Sequence, residues 1–242
     1  MKSSSNTSKE NNKENESAKP NPIIENIKSD YFLQLLFNIL MKKKSLNIIK
    51  YNKKIQRRID TNNTDYNDYS RLYSSIEIEI NPIKNEYCKF INIKKEDEKY
   101  YQIYINNKEE IKRNYINENE EIKVIKIIVD YQIKTFEDLF SDCRSIESIN
   151  FKKFYRNNIH NMSEMFYECS SVKELNLNNF NTNNVTDMIS MFHGCTSLIE
   201  LNLSNFNFNN ETDIDEMFSK CSKEFIMKIK SQYKFIKEEA FN

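Results

Sequence analysis

The 242-residue chain carries 36 Lys and Arg against 36 Asp and Glu, so its formal net charge is zero. A general binder of nucleic acid or of acidic membranes needs a basic excess, and the balanced charge disfavours that class. With 12% aromatic and 30% charged residues, the chain is expected to be a soluble protein with a substantial core.

Residues 1–22 are rich in Ser, Asn, Lys and Glu and contain too few apolar residues to build a core, so we expect a disordered tail. No apolar region of a signal peptide follows the initial Met. The longest apolar run, residues 31–41, includes Gln34 and Asn38 and is too short to span a bilayer. We therefore expect a cytoplasmic protein with reduced cysteines and no transmembrane segment.

Residues 23–60 are predicted to form a helical segment. A first apolar stripe at helical spacing comprises Tyr31, Phe32, Leu35, Leu36, Ile39 and Leu40, and a second helix follows Ser45 and includes Ile55 and Ile59. The second helix has a basic face formed by Lys50, Lys53, Lys54, Arg57 and Arg58. Either a solvated surface or a contact with phosphate or lipid accounts for this face, and the balanced total charge favours the solvated surface.

Residues 61–121 are predicted to form an antiparallel β-rich cap over the repeats that follow. Ile76, Ile78 and Ile80 alternate with Glu77 and Glu79, which predicts a half-buried strand. Phe90, Ile91 and Ile93 suggest a second strand, and Tyr101, Ile103 and Ile105 suggest a third. Residues 94–99 are predicted to be a charged hairpin turn, and residues 108–116 a short helix.

A repeated phrase dominates the region that follows. Cys143, Cys169, Cys195 and Cys221 are each 26 residues apart, and the aligned rows include Phe140, Phe166, Phe192 and Phe218. Agreement at apolar positions is typical of stacked repeats, because each unit buries its apolar face only against its neighbours. A strand signature recurs at Ile146–Phe151, at 172–177 and at 198–203, and Ile122–Ile127 fits it with a turn two residues shorter.

Each repeat also predicts a short helix. Thr135, Asn161, Asp187 and Asp213 precede apolar stripes at the positions expected for N-caps, and three of the four have a carboxylate three residues later. Residues 223–242 form one more amphipathic segment with apolar residues on one side. We expect it to cover the last repeat, with a free partner-binding helix as the alternative.

Motifs of common enzymes are not found. Gly194 is the single glycine, so the sequence cannot contain a glycine-rich phosphate-binding loop or the dinucleotide-binding fingerprint, each of which needs several glycines. The usual hydrolase motifs are also lacking. His160 and His193 are more readily explained as turn or surface residues than as a catalytic base. The four aligned cysteines are expected to line the core. A disulfide or metal role is the alternative, and the lack of a C-x-x-C pair in the sequence argues against a metal site. We expect no enzymatic activity and no cofactor.

The stretch NVTDMISMFHGCTSLIELNLSNF at 184–206 resembles the repeat of the BspA-like leucine-rich-repeat proteins, and the resemblance extends over 122–222. It implies a solenoid used for interaction, with a short strand and a short helix on opposite faces. The expected fold is therefore α+β: a leucine-rich-repeat-like solenoid of about four turns at 122–222, preceded by a helical segment and an antiparallel β cap and closed by a C-terminal helix.

The strand face is the predicted partner-binding surface, because successive strands align their outward residues in rows. By alternation with the inward apolar positions, the outward residues are Ser148, Glu174, Glu200, Asn150, Asn176, Asn202, Lys152, Asn178 and Ser204. The alternative for these rows is an Asn ladder that satisfies the polar groups of the repeats themselves.

The predicted function is that of a non-enzymatic protein-protein interaction module, with no nucleic-acid partner. Two alternatives remain open. Residues 31–56 are similar to an F-box, which implies a ubiquitin-ligase substrate adaptor, and the BspA-like resemblance implies a cell-surface or adhesion protein.

Overall fold

The protein is described here by a computed structural model that covers residues 27–29, 33, 52–58, 74–83, 87–209 and 211–242. The chain divides into two compact units, residues 1–66 and 67–242. In the first unit, helix α1 spans Lys53–Arg58, and the Asn52 side chain accepts hydrogen bonds from the N–H groups of Lys54 and Ile55, both at 3.1 Å. The predicted tail and most of the predicted helical segment, including most of the stretch similar to an F-box, lie outside the described residues.

The second unit is built on a mixed six-stranded sheet with the order β4-β3-β6-β1-β7-β8. Its strands are β1 (Ile76–Pro82), β3 (Tyr101–Ile105), β4 (Glu110–Ile111), β6 (Ile125–Val129), β7 (Ile146–Lys153) and β8 (Glu174–Asn176). Only β7 and β8 pair in parallel; the other neighbours are antiparallel. The predicted strands at 76–80 and 101–105 are confirmed, and Ile76, Ile78 and Ile80 are fully buried.

The other predictions for the 87–116 region are wrong. Residues 90–93 form no strand; instead β2 (Cys88–Lys89) pairs with β5 (Tyr115–Ile116) in a separate two-stranded sheet. The predicted hairpin turn is a 3₁₀ helix at Lys95–Tyr100, and the predicted helix at 108–116 contains β4 and β5. These segments are short, so pairing with neighbouring chain determines their conformation more than local pattern does.

The predicted α+β solenoid is wrong, and its first turn shows one reason. The segment at 122–127 does not stack on β7, because β1 lies between β6 and β7 and pairs antiparallel with both. Residues from the predicted cap thus occupy the interior of the sheet. The apolar spacing that Ile122, Ile125 and Ile127 share with the later repeats reflects burial of the same face, which does not specify the neighbouring strand.

The predicted helix in each repeat is also absent. Within residues 74–83, 87–209 and 211–242, α-helix occurs only in α2 (Lys223–Gln232). Thr135, Asn161, Asp187 and Asp213 accept a bond from the N–H two residues later, which is an Asx or Ser/Thr turn and not a helix cap. Each repeat then has two residues in the left-handed region: Asp138 and Asp142, Glu164 and Glu168, Ser190 and Gly194, Glu216 and Lys220. The result is a β-rich domain with turn-rich repeats.

The repeats lie in register, each against the next. Thr135, Asn161, Asp187 and Asp213 form successive parallel bridges. Stacked ring pairs join Phe140 to Phe166 and Phe166 to Phe192, both with centroids 5.6 Å apart, and Phe192 to Phe218 at 5.5 Å. All four aligned cysteines are buried and free. The predicted burial of the aligned Phe and Cys rows is confirmed.

The segment at 90–92 closes the stack at the first repeat. Within the stack the N–H of Phe140 donates to the carbonyl of Met165 at 2.9 Å, and the N–H of Asn92 donates in the same way to the corresponding carbonyl of Leu139 at 2.7 Å. The Asn92 side chain also donates to the carbonyls of Asp138 and Ser141 at 2.7 and 2.8 Å. Asn92 therefore supplies donors that a preceding repeat would supply.

Candidate partner-binding face

The nine residues predicted to bind a partner lie on and beside the last two strands of the sheet. Ser148, Asn150 and Lys152 belong to β7, and Glu174 and Asn176 to β8. The register pairs Ser148 with Glu174 and Asn150 with Asn176. Asn178, Glu200, Asn202 and Ser204 follow outside any strand. Ser148 and Asn150 are half-buried, and the other seven residues are exposed.

Several of these amides bond within the protein. Asn202 Nδ2 donates to Asn178 Oδ1 at 3.0 Å, which joins two neighbouring repeats. Asn176 Oδ1 accepts from the N–H of Asn178, and Asn202 Oδ1 accepts from the N–H of Ser204. These contacts support the alternative in which the Asn rows satisfy the polar groups of the repeats. The groups left for a partner are chiefly the carboxylates and the amide of Asn150.

The exposed face extends beyond the predicted rows, because β1 lies beside β7. Asn150 is opposite Glu79, and Ser148 is opposite Asn81. On the other side of β1, Glu79 is opposite Lys126 of β6, which is opposite Tyr104 of β3. Alternation in the sequence indicated that Glu77 and Glu79 point away from the core. It did not indicate which strands lie next to them, so these members of the face were missed.

Ion pairs neutralise one half of the face. Lys152 Nζ lies 3.0 Å from Glu79, and Glu77 lies 3.6 Å from Lys126 and 3.5 Å from Lys153. At the sheet end, Lys173 pairs with Glu147 at 2.9 Å. By contrast, no ion pair involves Glu174 or Glu200 within the described residues. Because exposed pairs contribute little stability, these residues determine the charge pattern of the surface more than they stabilise the fold.

A shallow groove borders this face where β1 ends. Asn81, Pro82 and Ile83 line it together with Ile122, Glu147 and Lys173. It combines apolar side chains with one acidic residue, Glu147, and two basic residues, Lys123 and Lys173. The groove therefore adds shape to a surface that is otherwise flat.

Besides the ion-paired residues of the sheet face, a group of titratable residues lies in the turns of the repeats. His193 is buried, its ring stacks on Tyr167 at 4.7 Å, and its Nδ1 lies 3.5 Å from Glu216. Burial, followed by the charge of Lys220, lowers the pKa of His193. Burial, followed by the charge of Asp138, raises the pKa of Glu164. The prediction of a turn or surface residue is confirmed for both histidines: His160 is exposed, and His193 lies in a turn although its side chain is buried.

The cysteines lie between these two surfaces and reach neither. Burial raises the pKa of Cys169 and of Cys221 to about 12, and that of Cys143 and Cys195 well above its usual value. High thiol pKa values oppose both nucleophilic and metal-binding roles, because each requires the thiolate. Within the described ranges no cluster of three or more His, Cys, Asp or Glu is arranged to hold a metal ion.

The comparisons with known proteins concern mainly the repeats. The family described as "Mycoplasma protein of unknown function, DUF285" matches residues 134–239. This match covers the four Cys-containing repeats and α2, and less than half of the chain. No curated protein and no solved structure matches the chain. In the part of the chain that the structure describes, no helix is long and apolar enough to cross a membrane.

Proposed function

We propose that the chain is a non-enzymatic interaction module that binds a protein partner through the exposed face of β1, β7 and β8 and the adjoining segment 200–204. The observation that carries this proposal is the pair of exposed carboxylates, Glu174 and Glu200, beside an otherwise charge-paired polar face. Carboxylates without an internal partner are available to a basic group on another protein.

The resemblance to BspA-like repeats supports an interaction role, and a relationship to that family is part of the proposal. The 26-residue spacing of the parallel bridges from Thr135 to Asp213 is consistent with it. A cytoplasmic location is likewise proposed, because the four aligned cysteines of the repeats are buried and form no disulfide. Labelling of intact cells with an antibody to the chain would contradict that location.

The test is a charge-reversal variant of the full chain, Glu174→Lys with Glu200→Lys. Its matched control is Glu96→Lys with Glu98→Lys, because Glu96 and Glu98 are exposed on the 3₁₀ helix away from β7 and β8. Partners of the wild-type chain are identified by quantitative affinity purification, and the affinity for the strongest partner is then measured for each purified variant.

We expect the face variant to lose about tenfold or more in affinity, while the control binds as the wild type does. Both variants should have the circular dichroism spectrum of the wild type. Equal binding by a folded face variant, or equal loss in both variants, would remove this face from the proposal.

A further inference from the structure

The end of the stack beyond the fourth repeat has the hydrogen-bonding pattern of a junction between repeats. At each internal junction, four backbone N–H groups donate to the following repeat. For the third repeat, Met188, Ser190, Phe192 and Gly194 donate to Asp213, Asp215, Met217 and Ser219 at 2.8 to 2.9 Å. The first and second repeats repeat this pattern, so a repeat presents a fixed row of donors to its successor.

Beyond the fourth repeat, residues Glu238–Phe241, which we call the strap, occupy the place that a further repeat would take. The N–H of Glu216 donates to the carbonyl of Glu239 at 2.9 Å, and the N–H of Phe218 donates to that of Ala240 at 2.7 Å. The Phe241 ring stacks on Phe218 with centroids 5.5 Å apart, the same separation as between Phe192 and Phe218. The strap therefore extends both the hydrogen-bond pattern and the column of rings.

The strap is held less firmly than a repeat. It accepts two backbone bonds from the fourth repeat, whereas the second, third and fourth repeats each accept four such bonds from the repeat before them. Ala240 of the strap is fully buried. Further contacts include ion pairs of Glu238 with Lys230 at 2.5 Å and of Glu239 with Lys237 at 3.2 Å, and the Lys230 ammonium group lies 4.5 Å from the centre of the Phe241 ring. Glu238 itself is exposed, so its ion pair adds little.

We infer that the fourth repeat carries an end-on docking surface, formed by the N–H groups of Glu216 and Phe218 and by the Phe218 ring, which the strap covers reversibly. The occupant that competes with the strap is the strap of a second copy of this chain. The same segment satisfies the same donors whichever copy supplies it, so two chains can exchange straps. This inference is independent of the sheet face.

Amide hydrogen exchange on the unmodified full chain tests whether the strap opens. Reversible opening exposes the N–H groups of Glu216 and Phe218 without unfolding the repeats. We expect these two amides to exchange at least about tenfold faster than those of Ser190 and Phe192, which make the same bonds one repeat earlier. Equal protection would show that the strap opens only with global unfolding and would overturn the inference.

A labelled peptide with the sequence of residues 234–242 tests the exchange, since it represents the strap of a second copy. Phe241→Ala in the full chain weakens its own strap, and Met227→Ala is the control because Met227 is an exposed residue of α2. The apparent affinity for a competing peptide rises in proportion to the fraction of time for which the docking surface is open. We expect Phe241→Ala to bind the peptide about tenfold more tightly than the wild type or Met227→Ala does.

A peptide carrying Phe241→Ala should not bind any of the chains. If Phe241→Ala fails to fold, Lys230→Met replaces it, because it removes the ion pair and the contact with the ring but leaves Phe241 in place. A folded strap variant that binds the peptide no better than the wild type does would overturn the inference.

Discussion

The thiol of Cys195 donates to the carbonyl oxygen of Phe166 across 3.2 Å, and this carbonyl also accepts the N–H of Cys169. The same relationship joins Cys169 to Phe140 at 3.0 Å and Cys221 to Phe192 at 3.1 Å. Each Phe carbonyl thus receives one bond from its own repeat and one from the next. The cysteines join neighbouring repeats through hydrogen bonds, which accounts for their spacing of 26 residues.

Replacing Cys195 with Ala should lower the free energy of unfolding by about 1–2 kcal/mol, because a buried hydrogen bond is lost and a small cavity is left. Cys195→Ser should cost less, since a hydroxyl retains a donor. Urea unfolding followed by circular dichroism measures both. Equal stability of Cys195→Ala and the wild type would show that the thiol bond contributes nothing.

Thiol labelling should depend on unfolding. All five cysteines are buried, and burial raises the thiol pKa of the four in the repeats. Because the thiolate is the reactive form, we expect negligible reaction with a disulfide reagent at pH 8 in the folded chain and reaction of all five in denaturant. Rapid labelling of a repeat cysteine in the native chain would contradict the buried assignment.

The sequence predicts the core of the repeats well and their conformation poorly. Spacing alone identifies the buried Phe192 and Cys195, because apolar periodicity reports burial. It does not distinguish an N-cap from an Asx turn at Asp187, because both place a short polar side chain before an apolar stripe. Nor does it reveal the left-handed conformation of Glu164, since a non-glycine residue adopts it only where surrounding bonds compensate for the strain.

For the candidate face, too, the sequence predicts which residues are exposed but not which strands lie side by side. Alternation placed Asn150 and Asn176 on the outer side correctly with respect to burial. The neighbour of Asn150 on its other side, Glu79, lies 71 residues earlier in the chain (150 − 79 = 71). Pairing between strands so far apart depends on tertiary packing, which a single sequence does not encode in any local pattern.

Asn92 is predicted to stabilise the first repeat. Asn92→Ala removes two side-chain donors from the carbonyls of Asp138 and Ser141 and should cost about 1–3 kcal/mol. Asn92→Asp should cost more, because a carboxylate would face two carbonyl oxygens. Asn207→Ala is the control, since that side chain is exposed. Urea unfolding should rank the control first, then Ala, then Asp; equal values for Asn92→Ala and the control would contradict the role.

Acid should destabilise the chain through His193. Because the folded-state pKa of His193 is lowered, the unfolded chain binds the proton more tightly. The resulting contribution to stability is complete above the unfolded pKa of about 6.5 and is lost as pH falls from there through the folded pKa. Tyr167, Glu168, Glu216 and Lys220 face the ring, and the two carboxylates partly oppose the shift.

Urea unfolding at pH 7.5 and at pH 5.5 measures this effect. His193→Tyr repeats the residue at the equivalent position, Tyr167, and should lose less stability between the two pH values than the wild type loses. His160→Gln, at an exposed histidine, should behave as the wild type does. If His193→Tyr and the wild type lost the same stability between the two pH values, the loss would come from groups other than His193.

Arg156 is fully buried, and among the described residues only its Nη1 is bonded, to the carbonyls of Asp130 and Ile133 at 2.9 and 3.3 Å. Nε and Nη2 have no partner among the described residues, and burial lowers the pKa of Arg156 to about 10. A buried charge so poorly compensated stabilises little, and a flexible apolar side chain of similar length fills the same space.

We therefore expect Arg156→Met to change the free energy of unfolding by no more than about 1 kcal/mol, since removal of the charge offsets the loss of two hydrogen bonds. Arg156→Ala should cost about 2–4 kcal/mol, because it leaves a cavity between β7 and the loop that follows β6. Thermal and urea unfolding measure both variants. If the two variants were equally unstable, the hydrogen bonds to Asp130 and Ile133, and not the volume of the side chain, would be what Arg156 contributes.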